Sequence, residues 1–540
     1  MSPTENGFAG PAENGTFKKG VRVAVIGAGV SGVCTGVRLF QQGASVVVFE
    51  RSQVSSGVWH FDPRIDSNSV AYPSKEASLG EYETSLPGQF LPRGTKNGYS
   101  KDEEARLQDH ALNTTDREAL EVSFAPPGPC YSGLKNNIPT RLLYSNLKLW
   151  PSGTKDNVPH WEIEKYIQDI GAESDLDKVT LYNTRVETAR KSDDGKKWLL
   201  RTITLLPREG TPQIVERAWE FDAVVVCSGH YNLPRIPDFP GLPQLKQAFE
   251  DRVIHSKEYR NPDDFRDKNI LVIGGATSAS DICRELDGVA KTVYQSTRGG
   301  KFDHPETIIP HAVKRVGEVG SFVLDKESAG ENLIDPLASI PGQVLLRNGE
   351  TIRDLHHIII ATGYLTSFPF LSQFHGDSVP IENATPDLLV TSEANMVHNL
   401  HKDIFYIEDP SLSFVGIPYY VATFSVFDFQ AEAVARVLTG KSKLASRQVL
   451  RDEYNKKIAS RGRGRNFHSL ADEGAELAYV RDLADSVNKG AHDSKADPMK
   501  GHSKEWLDSF EKYKLWRNGL KKGTVSLHTS LEEFISLQEK

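Results

Sequence analysis

Two glycine-rich turns are the places where this chain could do chemistry. In the first, Gly27-x-Gly29-x-x-Gly32 follows the apolar run Val21 to Ile26 and opens a helical pattern that continues to Gln42. In that spacing the first glycine makes a tight turn and the second lets the backbone approach a pyrophosphate, while the third allows close packing of helix on strand. The helix N-terminus, with Ser31 in its first turn, adds unpaired N–H groups and the positive end of the dipole. Glu50 closes the buried strand Ser45 to Phe49, where a carboxylate can accept hydrogen bonds from both hydroxyls of a ribose. Glycines, strand, helix and acid together predict a dinucleotide site.

The second turn, Gly274-Gly275-Ala276-Thr277-Ser278-Ala279, follows the strand Asn269 to Ile273 and precedes a predicted helix over Asp281 to Leu286 and a strand over Lys291 to Tyr294. Ala276 and Ala279 stand where a strict pattern has its second and third glycines, so Gly274, Ala276, Thr277 and Ser278 read as a tighter phosphate cradle. Past the next strand the chain reads Ser296-Thr297-Arg298, with no acid at its end. A cation there suits a ribose carrying a 2′-phosphate, which argues for NADP over NAD. Two dinucleotide sites in one chain imply a flavin, FAD, that takes hydride from NADPH. A disulfide reductase would need paired cysteines, but Cys34, Cys130, Cys227 and Cys283 are far apart in the chain. Oxygen is therefore the leading electron acceptor.

Strand-helix-strand units of this kind belong to a parallel sheet with helices on its faces. The expected fold is α/β, with two Rossmann-like dinucleotide-binding domains, the NADPH domain inserted into the FAD domain, and a helical C-terminal segment. Expected boundaries are a flexible N-terminus over 1–20, the FAD domain over 21–240 and 346–440, the NADPH domain over 241–345, and the helical extension over 441–540. Further strands are predicted at Asp222 to Cys227 and His357 to Ala361, ending in the turns Ser228-Gly229 and Thr362-Gly363, where open α/β sheets bind ligands. Residues 62–128 read as a polar surface insertion with one or two short helices, expected to contribute to a substrate lid. In the tail, Leu477, Val480, Leu483 and Val487 form one apolar stripe, followed by a polar linker over 488–504.

At 540 residues the chain has room for two to four domains. Its formal net charge of −8 lacks the basic excess of a nucleic-acid binder, so no nucleic-acid partner is expected. The apolar part of the longest uncharged stretch, Leu412 to Phe427, is broken by Gly416 and Pro418 and falls short of a bilayer span. No histidine or cysteine spacing suits a metal, and the cysteine usage fits a reducing, cytoplasmic setting. The insertion and tail offer surfaces on which a homo-oligomer could form.

With these motifs placed, the sequence resembles the flavin-containing monooxygenases, a class that includes Baeyer–Villiger and N-hydroxylating relatives. The resemblance runs from about Val21 to Val487 outside the insertion. Ser56-Gly57-Val58-Trp59 is similar to the family's G-G-x-W. Tyr131-x-x-Leu134-x-Asn136-Asn137 is similar to Y-x-x-L-x-T-N, which puts Asn137 at the family's flavin- and oxygen-facing asparagine. Phe239-Pro240-Gly241 and Phe249-x-Asp251-x-x-x-His255-Ser256-x-x-Tyr259-Arg260 resemble the fingerprint F-x-G-x-x-x-H-x-x-x-Y/F-R/K, with Asp251 in place of its Gly. Ala361-Thr362-Gly363-Tyr364 repeats the ATGY strand end, and Ala478 to Ala484 resembles the family's C-terminal helix.

The resemblance implies FAD contacts at Gly57, Val58, Trp59, Thr362 and Gly363 and a hydrogen-bonding catalytic role for Asn137, with His255 and Ser256 as positioning residues. It implies that NADPH reduces FAD, that dioxygen adds at the flavin C(4a) carbon, and that one oxygen passes to nitrogen or sulfur of a small-molecule substrate. Baeyer–Villiger members usually read W-P where this chain has Tyr259-Arg260, so heteroatom oxygenation is favoured over ester formation from a ketone. A flavin-binding protein without turnover, suggested by the imperfect second turn, is the remaining alternative.

Overall fold

The computed structural model describes residues 20–66, 70–78, 108–111, 117–206, 213–325, 338–491 and 497–538. Its first sheet has seven strands. Arg22–Ile26 lies between Ser45–Phe49 and Ala223–Val226, both parallel to it, and Leu412–Phe414 adds a further parallel neighbour. Side chains alternate across the pleat: Val23 and Val25 meet the helices Val30–Gln41, Thr423–Leu438 and Ala475–Lys489, whereas Ala24 and Ile26 meet Phe221, Phe368 and Phe414 on the other face. Cover on both faces is the reason these strands read as unbroken apolar runs. In the tail Val480, Leu483 and Val487 are buried on the first of those faces, and Leu477 packs beside Trp506.

The second sheet has five parallel strands in the order Val253–His255, His357–Ile360, Asn269–Ile273, Thr292–Ser296, Lys314–Val316. His357–Ile360 sits inside this sheet, so the inserted unit runs beyond residue 345, the boundary expected from the sequence. Three consecutive isoleucines demand a strand covered on both faces, and the second sheet supplies that cover. The chain enters and leaves this unit through one short antiparallel ribbon, Leu233–Pro234 against Tyr364–Leu365.

The insertion departs from a purely surface role. Gln108–Ala111 is an edge strand of a four-stranded antiparallel sheet with Gln213–Phe221, Trp198–Leu206 and Thr184–Lys191. The helix Arg117–Phe124 buries Leu120 and Phe124 against Ile203, Leu205 and Ile214 of that sheet. The remainder of the expected lid, over 67–69, 79–107 and 112–116, lies outside the described residues.

The tail helix Lys504–Lys522, followed by the short helix Leu531–Gln538, spans both nucleotide units. Its Ser503 cap accepts from Trp506 N, and the Trp506 indole N–H donates to the Leu142 carbonyl at 3.1 Å on the first unit. At its far end, the Thr307 hydroxyl of the second unit donates to the Lys521 carbonyl at 2.9 Å.

Candidate functional site

Both glycine turns open on one cleft of about 1910 Å³, larger than a single small-molecule pocket. Every cofactor-cradle residue singled out from the sequence, and Asn137, lines it except Gly32, which lies beneath; His255 and Ser256 are buried behind the lining.

The glycines of the first turn have different duties. Gly27 has a φ of +101°, and a Cβ there would stand 2.7 Å from the Cys227 carbonyl oxygen, so the fold itself demands glycine. A side chain at Gly32 would collide with the Gly27 carbonyl. Gly29 is not constrained in this way: its nearest neighbour to an added Cβ is the Gly57 Cα at 3.6 Å, an ordinary contact. The space at Gly29 is therefore open toward the cleft, the room a pyrophosphate would need there.

Glu50 is buried and organises the rim. Its two oxygens accept from the Ala28 N–H at 2.7 Å and the Ser52 N–H at 2.8 Å, which leaves lone pairs on both for ribose hydroxyls. Ser56 N donates to the Ala28 carbonyl at 2.9 Å, and this lays the single turn Gly57–Trp59 against the glycine loop. Thr362 donates its hydroxyl to the Arg235 carbonyl, and Gly363 takes a φ of +87° at the cleft wall.

At the second turn the helix starts at Thr277, earlier than the expected Asp281, so Thr277 and Ser278 contribute N–H groups from its first turn. Gly274 has a φ of +148°, and a side chain there would strike the Ala361 carbonyl. Ala279 is fully buried against the strands of its sheet, a contact that tolerates its methyl group. Ser296 spends its hydroxyl on the Gly317 carbonyl at 2.8 Å.

Arg298 lies exposed in the cleft, and among the described residues no carboxylate is within ion-pair distance of it. The structure also brings an acid that sequence reasoning missed. Asp303 folds back over Gly275, accepts from Gly300 N at 2.8 Å and takes the Thr297 hydroxyl as a second donor. It escaped notice because it comes from the loop after the strand rather than from the strand end.

Between the two turns lies the Asn136-Asn137 pair, and the two amides differ. Asn136 is buried and saturated: its NH2 donates to the Ile138 and Asp156 carbonyls, each at 2.7 Å, and its oxygen accepts from Val158 N at 2.7 Å. Asn137 is exposed to the cleft, and its side chain has no hydrogen-bond partner among the described residues. The loop that carries them is tied to the second unit, because the Tyr131 hydroxyl donates to Asp281 at 3.2 Å on the Thr277–Leu286 helix. One turn further along that helix, Tyr259 of the fingerprint donates to Glu285 at 2.9 Å.

His255 is a neutral linker. Its Nδ1 accepts from Lys257 N at 3.1 Å, and its Nε2–H donates to the Gly363 carbonyl at 3.1 Å. Burial, reinforced by the nearby Lys257 charge, pushes its pKa down to about 3, so it holds the Gly363 turn rather than moving protons. Arg260 is buried and donates to the carbonyls of Arg64, Lys257 and Tyr259. The four cysteines are all buried and unpaired.

Side chains from outside every motif also reach the cleft, among them Arg235, Phe302, Tyr419, Tyr420 and Arg465. Arg465 belongs to the run Arg461-Gly462-Arg463-Gly464-Arg465, whose alternating charge was the one signal in the sequence. Among the described residues, no three His, Cys, Asp or Glu side chains gather as a metal site, and no helix is long and apolar enough to cross a membrane.

Two Rossmann-like cradles facing one cleft, with an insertion joined through a two-strand ribbon, define a two-dinucleotide flavoprotein oxidoreductase. The model of the flavin-binding monooxygenase-like family matches residues 143–305 and 340–492, and that of an NAD(P)-binding Rossmann-like domain matches residues 25–75. The chain is 40% identical over 493 residues to the flavin-containing monooxygenase ustF2 of Aspergillus flavus, covering 91% of this chain and 96% of that one. It is 33% identical to ustF1 of the same organism, covering 92% and 89%. The fold is shared with the S-allyl-L-cysteine S-oxygenase of Allium sativum at a TM-score of 0.65 and 20% identity, covering 96% of this chain and 98% of that one. Tmm from Pelagibacter sp. strain HTCC7211 gives a TM-score of 0.64 at 18% identity, covering 94% and 93%. The chain belongs to the flavin-binding monooxygenase-like family, and it is an FAD- and NAD(P)-binding monooxygenase.

Proposed function

We propose that this enzyme uses NADPH and dioxygen to oxygenate a nitrogen or sulfur atom of a small molecule. For a thioether the balance is thioether, O2, NADPH and a proton giving sulfoxide, water and NADP⁺. FAD, when bound, supplies hydride acceptance and oxygen activation. Gly27, Gly29, Ser31, Gly32, Glu50, Gly57, Val58, Trp59, Thr362 and Gly363 form its cradle, while Gly274, Ala276, Thr277, Ser278, Ser296, Thr297 and Arg298 form that of NADPH.

The contrast between Asn136 and Asn137 carries this assignment. Asn136 fixes the loop, which leaves Asn137 as an unspent amide facing the cleft between the two cradles. An amide does not titrate, so Asn137 serves by donating and accepting hydrogen bonds to reacting groups and by keeping them from bulk water. Arg298, without an acidic partner among the described residues, supports NADPH over NADH. Tyr259 and Arg260 are buried behind the cleft lining, bonded to Glu285 and the Arg64 carbonyl, and this pair standing in place of W-P supports heteroatom rather than ketone oxygenation.

The test is Asn137→Ala. NADPH oxidation should continue while product formed per NADPH falls at least tenfold and hydrogen peroxide accumulates. Coupling equal to that of the wild type would remove Asn137 from the chemistry, and a cyclic ketone preferred over amines and thioethers would replace heteroatom oxygenation.

A further inference from the structure

Three guanidinium groups, of Arg235, Arg298 and Arg465, line the cleft, and none of them forms an ion pair among the described residues. Arg235, on the ribbon strand side, has its pKa lowered by burial and by the charges of Arg298 and Arg465, with only Glu393 acting in the other direction. Among the described residues none of the three lies within ion-pair distance of a carboxylate. The neighbouring acids are already engaged: Asp472 with Lys301 and Arg461, and Glu473 with Lys514. Unbalanced like charges brought together call for an anion.

The surroundings of Arg465 differ from those of Arg298. Its guanidinium lies 5.0 Å from the ring centroid of Phe302, and Phe302 stacks on Tyr420 at 5.2 Å with 12° between the planes. Tyr420 is held at a φ of +60°, a conformation that bulky residues rarely adopt. Two buried polar atoms close by, Tyr419 Oη and His230 Nε2, have no hydrogen-bond partner among the described residues. Arg465 faces the Tyr419 hydroxyl as a long-range donor as well as a charge, and it acts on His230 through its charge. A strained backbone at Tyr420, a cation without a carboxylate and two buried polar atoms with no partner at hydrogen-bond distance make a built site. It bridges the tail side of the first unit and the loop of the second unit that follows Arg298, to which Phe302 belongs.

We propose that Arg465, Arg235 and Tyr419 hold the carboxylate of an anionic substrate, with the Phe302–Tyr420 pair receiving an aromatic or apolar part of the same molecule. Charge supports the division of labour: a 2′-phosphate of about −2 on Arg298 plus one carboxylate balances three guanidinium groups. Arg465 suits this task because its planar fork can meet a carboxylate with two parallel hydrogen bonds. The assignment rests on the oxygenase reading above and names its substrate class.

The probes are 4-(methylsulfanyl)benzoate and its uncharged amide, 4-(methylsulfanyl)benzamide, with FAD-loaded enzyme. In the wild type kcat/KM should favour the benzoate at least tenfold, and Arg465→Gln should erase that preference, with Arg465→Lys restoring part of it. Calorimetry with NADP⁺ present should show the same loss of benzoate binding in Arg465→Gln. A wild type that prefers the amide overturns the proposal. So does an Arg465→Gln protein that keeps the preference but binds NADP⁺ tenfold more weakly, since the cluster then belongs to the dinucleotide. If neither thioether is oxygenated yet the benzoate still binds tenfold more tightly than the amide, the carboxylate site stands and the oxygenase reading fails.

Discussion

Glu476→Gln should stabilise the enzyme at alkaline pH and do much less in acid. Glu476 sits in the first turn of the Ala475–Lys489 helix with its side chain only 8% exposed. One oxygen accepts from the Ala422 N–H at 3.0 Å, while the other, 3.9 Å from His502 Nε2, has no hydrogen-bond partner among the described residues. Burial pushes its pKa from 4.5 up to about 7. A raised carboxyl pKa means that the folded protein holds a proton the unfolded chain has released. The stability it confers is therefore fully present below pH 4.5 and lost as pH rises through about 7. At about 1.4 kcal/mol per tenfold, the penalty is about 3 kcal/mol at pH 8 and about 1 kcal/mol at pH 5.5. Glutamine keeps the acceptor for Ala422 and never ionises, so it removes that penalty. Urea unfolding followed by tryptophan fluorescence reports the change, since Trp506 stacks on His502 at 3.6 Å beside the site. An equal gain at both pH values, or a loss at pH 8, would refute this account of Glu476.

Two further substitutions separate fold from ligand. Gly29→Val should leave a folded protein that purifies without flavin colour, whereas Gly27→Ala should destabilise the fold itself through its positive φ and its approach to Cys227; circular dichroism and bound-flavin absorbance distinguish them. Arg298→Ala should raise KM for NADPH at least tenfold while flavin content holds, and an unchanged preference for NADPH over NADH would remove Arg298 from 2′-phosphate recognition.

The parts of the fold legible in the sequence are those whose pattern follows from burial on both faces. The first strand, glycine turn, helix and second strand lie within a residue of their expected limits, because apolar runs and glycine spacing report directly on backbone geometry. The antiparallel sheet over Thr184–Phe221 was not legible. Its strands mix charged and apolar residues, and its edge strand Gln108–Ala111 is supplied by a distant polar segment. The placement of His357–Ile360 in the second sheet was hidden for another reason: an isoleucine run states that a strand is buried, not which sheet buries it. At the site, motif residues were found and loop residues were not. Asp303 and Arg235 reach the cleft through turns whose geometry leaves no periodic trace, and Arg465 is marked only by the alternation of Arg and Gly over 461–465. The resemblance singled out Asn137, while the bonds that exhaust Asn136 became visible only in three dimensions.

The central claim is that two nucleotide cradles pass electrons from a nicotinamide to a flavin that then meets oxygen. Anaerobic mixing of the purified, FAD-loaded enzyme with NADPH, followed by admission of air, tests it most directly. The account predicts that the visible flavin bands bleach on mixing and return with oxygen. Flavin bands that remain oxidised in the presence of NADPH would contradict it.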